Sequence, residues 1–120
     1  MQILGAICGV WLTHTIFDIE LLQIATNDRG GSSQIISELV STVILLYVIK
    51  LGVKNSPEKV PMLVALTVTA GYWFTSSTFF ANPAVTIARS LTDTFVGIAP
   101  THIAGFIAGQ LMALILMVLI

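Results

Sequence analysis

Four apolar runs divide the chain, at residues 1–17, 34–49, 60–78 and 102–120, and the charged residues gather in the links between them, Glu38 excepted. Each run is near the lower end of the ~17–25 residues that a membrane-spanning helix needs. The first looks short, as though its beginning were missing. The pattern predicts an all-α membrane protein with four transmembrane helices in one partial domain, residues 1–120. The opening Met1-Gln2-Ile3-Leu4 has no positively charged leader, so residues 1–17 read as a span that stays.

Between the third and fourth runs the pattern breaks at Phe80-Ala81-Asn82-Pro83-Ala84-Val85-Thr86-Ile87-Ala88-Arg89. Asparagine is a favoured N-cap and proline is favoured at the first helical position. A helix over 83–91 would be only about 13 Å long, so it reaches about halfway into a ~30 Å hydrocarbon core. Non-helical backbone at that depth is tolerated only inside protein or along a watery cavity. The segment is therefore a re-entrant half-helix, and it points to a pore or a solute site.

Composition agrees on the solvent. Of the 120 residues 56% are hydrophobic and 9% charged, with a mean hydropathy of +0.96, against roughly 25% charged in soluble domains. Five basic and six acidic residues give a net charge of −1 with no basic patch, so nucleic acid is not a partner. Cys8 is the single cysteine, which excludes an internal disulfide and a cysteine-based metal cluster. No HExxH, no pair of spanning aspartates and no serine with a base at the same depth suggests an enzyme. The expectation is no catalytic residue, no metal and no cofactor.

The links orient the spans. Lys50, Lys54 and Lys59 flank the second link, with Glu58 its only acid, while Asp18, Glu20, Asp28 and Arg29 lie in the first. The positive-inside rule puts the lysine link in the cytoplasm, so the half-helix enters from outside. Residues 27–32 read as a turn-rich, mobile loop without a motif. Gly5 with Gly9 and Gly105 with Gly109 are GxxxG spacings, which let helix backbones approach closely in a membrane and suggest matching roles for the first and last spans.

Asn82-Pro83-Ala84 after a span, followed by a short helix and a glycine-bearing span, resembles the major intrinsic protein family, the aquaporins and aquaglyceroporins. Gln2, Gly5, Ala6 and Gly9 resemble that family's third span, Glu38 its fourth, residues 60–80 its fifth and 102–120 its sixth. The stretch from Phe80 to Gly97 looks closest to bacterial members linked to arsenic resistance. The resemblance implies an integral protein of the bacterial inner membrane, and a channel for passive transport of water, glycerol-like solutes or metalloid hydroxides. It also implies a homo-oligomer or a complementary half-channel as partner. Family members carry six spans and two such half-helices that meet at the bilayer centre, whereas this chain resembles the C-terminal half alone. The alternative is a truncated, non-conducting fragment that packs against a full-length relative.

The resemblance also assigns roles. As N-cap, Asn82 keeps its amide NH2 free to donate into a lumen, and the positive end of the half-helix dipole lies beside it. Asn82, Pro83, Ala84 and Val85 are expected to line the pore, with Phe79 in the filter region and Ala70 or Gly71 near it. Most members have an arginine where this chain has Val85, which favours larger neutral solutes. Arg89, four residues on, either substitutes for it nearer the outer mouth or pairs with Asp93 as a solvated loop pair. Glu38 is expected to support the re-entrant backbone, the other reading being exposure at the interface. His14 and Trp11 are carried toward an interface, and Thr101 can cap the last span.

Overall fold

The computed structural model describes residues 1–120 and is all helical. In chain order the helices are α1 (Gln2–Ile16), α2 (Ser32–Asn55), α3 (Val60–Phe74), α4 (Pro83–Arg89) and α5 (Ile103–Leu119). Single 3-10 turns at Pro57–Lys59 and Pro100–His102 lead into α3 and α5. By length and composition α2, and α5 with its 3-10 turn, are long and apolar enough to cross a membrane; α1 is a shorter apolar helix.

Element ends differ from the hydrophobic pattern where local chemistry intervenes. The run at 34–49 is part of a helix that covers Ser32–Asn55, which continues through Lys50 and Lys54, where cations complement the C-terminal dipole. It stops at Ser56, whose φ of −157° is extended ahead of Pro57. The run at 60–78 is helical only to Phe74. Thr75 is extended, and Thr78 and Phe79 have φ of 58° and 53°, which no right-handed helix can hold. The short helix expected over 83–91 is α4, which ends at Arg89, since Ser90 turns its Oγ onto the Ile87 carbonyl at 2.7 Å. The outer spans shorten by single residues to Gln2–Ile16 and Ile103–Leu119.

The interior is more polar than the exterior. Twenty-two residues are buried, ten of them polar or charged against eight hydrophobic, while Trp73, Val118 and Leu119 are each more than three-quarters exposed. Water would reward the opposite arrangement, so the outer surface suits lipid. The apolar nucleus is small: Phe80, Ile98 and Phe106, with Val85 against it and the Phe80 and Phe106 ring centroids 4.9 Å apart.

The two GxxxG stripes behave differently. Gly105 and Gly109 face α2, where a Cβ on Gly109 would lie 2.8 Å from the Ile35 carbonyl oxygen, so the absence of side chains permits α5 to approach α2 closely. Gly5 and Gly9 have nothing within 4 Å. The matching roles expected of the two stripes are therefore not realised within this chain.

The first link is also not the loose loop expected from its composition. Residues 17–31 lie along residues 90–99, tied by Ala25 N–H to Ser90 O at 2.9 Å and Ala99 N–H to Asn27 O at 2.9 Å. Asn27 donates through Nδ2 to the Thr94 carbonyl. Arg29 donates to the Gly97 and Phe95 carbonyls, each at 2.8 Å. Polar side chains here serve as cross-links between the α1–α2 link and the segment that follows α4.

Candidate functional site

Asn82 caps α4 with φ −157° and ψ 123°, its Oδ1 accepting from the Ala84 N–H at 2.8 Å. Its own carbonyl accepts from the Thr86 N–H and hydroxyl, both at 3.0 Å. Pro83 supplies the first helical position, where its missing N–H costs nothing. The Asn82 amide NH2 makes no hydrogen bond to the protein, so it is available to a solute. Asn82 is half-buried and Pro83 exposed, while Ala84 is buried against the fold.

The backbone that delivers Asn82 is strained. Thr78, Phe79 and Ala81 all have φ near +50°, a region costing ~1–3 kcal/mol for a residue with a side chain unless surroundings enforce it. Glu38 is the enforcer. Its side chain is wholly buried, and Oε1 accepts from Ser77 Oγ at 3.1 Å and Phe80 N–H at 3.2 Å. Oε2 accepts from Ala81 N–H at 3.0 Å and Gln110 Nε2 at 2.8 Å. Exposure at the interface, the other reading of Glu38, does not hold. The preceding α2 residue, Ser37, adds a second tie by accepting from Ser77 N–H at 3.2 Å.

Gln110 extends this support. Its Nε2 also donates to Thr86 Oγ1 at 2.9 Å, joining α2, α4 and α5 through one amide. Sequence reasoning missed Gln110, Thr86 and Ser77. The signal that marked Glu38, a polar group stranded within an apolar run, applies equally to Gln110.

A cleft of about 730 Å³ opens between α1 and α4, lined among others by Gly9, Thr13, His14, Val85, Arg89 and Thr92. Val85 and Arg89 thus share one face one turn apart. The cleft does not include Asn82, Phe79 or Ala70. Phe79 is buried across Gly71, where an added Cβ would overlap its ring, and Ala70 is exposed on α3.

Arg89 is not paired with Asp93. Its Nη1 donates to Thr78 Oγ1 at 3.3 Å and its Cζ lies 4.2 Å from the Phe80 ring centroid. Asp93 faces the other loop, its Oδ1 accepting from Thr26 N–H at 2.8 Å and Thr26 Oγ1 at 2.9 Å. His102 Nε2 and Asp28 Oδ1 lie 2.9 Å apart, within hydrogen-bond distance. Thr101 makes no cap: the residue before the 3-10 turn is Ala99, and His102 precedes α5.

His14 does not reach an interface. It is buried, with Nδ1 3.0 Å from the Leu21 carbonyl and Nε2 2.9 Å from Thr92 Oγ1. A carbonyl only accepts, so Nδ1 carries the hydrogen and Nε2 accepts from the threonine hydroxyl in the neutral ring. His14 thereby joins α1 to the loop beyond α4.

The Thr26 N–H, and then its hydroxyl, hold the Asp93 carboxyl below the usual carboxylate value of 3.8. A carboxylate with a depressed folded value stabilises above its unfolded value and loses that contribution as pH falls through the folded one. Protection of the Thr26 amide against hydrogen exchange should therefore be constant from neutral pH to about 4 and fall below that. Asp93→Asn should remove the protection at every pH. Equal protection in parent and variant would mean that Asp93 does not pin the loop.

No family model matches the chain, and no solved structure matches it. Among curated proteins it is 46% identical over 111 residues to the aquaglyceroporin AqpS of Rhizobium meliloti (strain 1021). The alignment covers 92% of this chain and 48% of that relative, in its C-terminal half. The chain thus spans about half the length of the relative it matches.

Proposed function

We infer that this chain, a relative of the C-terminal half of the aquaglyceroporins in the major intrinsic protein family, supplies one jaw of a membrane channel for small neutral solutes. The observation that carries the reading is the capped start of α4. Its free Asn82 amide and the capped start of α4 are fixed at a strained turn by the buried Glu38. The positive end of a helix dipole disfavours cations, and an amide donor orients the oxygen of a water or an alcohol. The reading takes α1, α2, α3 and α5 as four spanning helices, with α4 re-entrant from outside. Asn82, Pro83 and Val85 face the path, with the buried Ala84 behind them, Phe79 and Ala70 beside its filter and Arg89 at the mouth. Glycerol-like polyols and metalloid hydroxides fit an apolar Val85 better than strict water selection does. The setting is the bacterial inner membrane.

A second reading, a non-conducting fragment that packs on a relative, is favoured by the bare Gly5–Gly9 face of α1 and the half-exposed Asn82. Unpaired polar groups facing lipid are costly, so a partner half or a second copy is required for a closed path. Liposome swelling separates the two readings. Purified chain, alone or reconstituted with an N-terminal half of an aquaglyceroporin, should give glycerol-dependent volume change. None in either preparation would sink the channel reading. Val85→Arg should lower glycerol permeability severalfold by narrowing the path, and permeability equal to the parent's would remove Val85 from the constriction.

A further inference from the structure

We propose that Arg29, from the loop between α1 and α2, is a specificity-determining residue that joins Arg89 around the Phe80 ring in a two-guanidinium barrier, placed outward of the charge missing at Val85. The proposal rests on the channel reading above and adds to it a residue and a mechanism.

The geometry points to it in three steps. Phe80 is 4% exposed and adjoins the turn that delivers Asn82, so a group held against it is held at the entrance to α4. Arg89 Cζ is 4.2 Å and Arg29 Cζ 5.5 Å from the centroid of that one ring. An aromatic face attracts a cation, and here two cations share it. Arg29 is also fixed in direction, its Nε and Nη2 spent on the Gly97 and Phe95 carbonyls at 2.8 Å each. These bonds leave its charge intact, because carbonyls accept without neutralising.

Neither guanidinium has a carboxylate within ion-pair distance. Asp28, next to Arg29, is engaged by His102, and Asp93, nearest in sequence to Arg89, is engaged by Thr26. These two acids are thus engaged by other partners, which leaves Glu38, hydrogen-bonded to the turn and outside ion-pair distance, as the carboxyl whose charge Arg29 feels. Partial burial of Arg29, which draws it below the ordinary arginine value, also reduces the solvent screening of its field. Arg89 lines the cleft with Val85, whereas Arg29 lies outside its lining and acts on a cation there through its field; a neutral solute meets neither penalty.

The competing role for Arg29 is a loop tie, with no influence on the potential beside Val85. A thiol probe distinguishes them without requiring flux. Val85→Cys in a Cys8→Ser background places one cysteine in the cleft, and its reaction with iodoacetamide against pH gives its titration in the full chain. The thiol should titrate below the ~8.5 of free cysteine. Arg29→Gln and Arg89→Gln should each raise it by roughly half a unit or more, about a threefold loss of thiolate at neutral pH. Arg29→Lys, which keeps the charge and loses the fork, should restore most of the shift. If Arg29→Gln does not fold, Arg29→Met, which keeps the apolar stem, gives the same reading. A titration unmoved by a folded, uncharged residue 29 would overturn the proposal. Glycerol flux of the parent tests the channel reading separately, so the two failures are distinguishable.

Discussion

Glu38→Ala should destabilise the chain by about 3–5 kcal/mol and release the backbone that carries Asn82. Four donors converge on this one carboxylate: Ser77 Oγ, Phe80 N–H, Ala81 N–H and Gln110 Nε2. Within a membrane an unpaired donor finds no water, and each lost bond costs roughly 1 kcal/mol net, since an unfolded chain in lipid also finds partners. The strain at Thr78, Phe79 and Ala81 adds to the loss, because nothing else ties the Phe80 and Ala81 amides. Glu38→Gln should cost less. One oxygen can still accept from Ser77 and Phe80, and Gln110 has a buried Oε1 without a partner that can turn to meet the new amide. The Ala81 N–H then stays unpaired, and the turned Gln110 amide gives up its bond to Thr86 Oγ1. The expected order of melting temperature by circular dichroism in detergent is parent, Glu38→Gln, Glu38→Ala, with the last lower than the parent by about 10 °C or more. An alanine variant that melts with the parent would show that the turn holds itself.

The two kinds of information in this sequence were unequally readable. The start of α4 is written locally: Asn82 caps and Pro83 begins a helix wherever the two occur, so no tertiary partner is needed to see it. The membrane character is likewise a property of composition. The end of α3 is not local. Residues 75–78 are Thr-Ser-Ser-Thr, with no glycine or proline to announce a left-handed turn. The positive φ values there depend on Glu38, some forty residues earlier in the chain. The docking of residues 17–31 on 90–99 was equally hidden, because Asn27, Asp28 and Arg29 have the composition of a solvated turn. Only the opposite loop reveals that their side chains are spent on its carbonyls and on His102. The same reason explains Arg89: four-residue spacing suggested Asp93, but Thr26 engages that carboxylate and leaves the arginine to Phe80.

Gly71 and Phe79 should prove coupled when both are changed. A Cβ at Gly71 would overlap the Phe79 ring, so Gly71→Ala must displace an aromatic side chain that is only 2% exposed. Alanine is the better helix former by about 1 kcal/mol, which works in the variant's favour. Overpacking a buried ring costs ~1–3 kcal/mol or more, and here the ring belongs to a residue with φ of 53° that has little freedom to retreat. The clash should therefore win, and Gly71→Ala should be less stable than the parent. Phe79→Ala alone should cost about 3–5 kcal/mol through the void it leaves. Once the ring is gone the Gly71→Ala methyl has space and fills part of that void, so the double variant should be more stable than Phe79→Ala alone. The coupling should be on the order of 1–3 kcal/mol, within the range for residues in contact. Additive losses would mean that Phe79 does not rest on α3 and that the turn before Asn82 lies elsewhere. A coupled pair with reduced glycerol flux in Gly71→Ala would tie that packing to the position of the Asn82 amide.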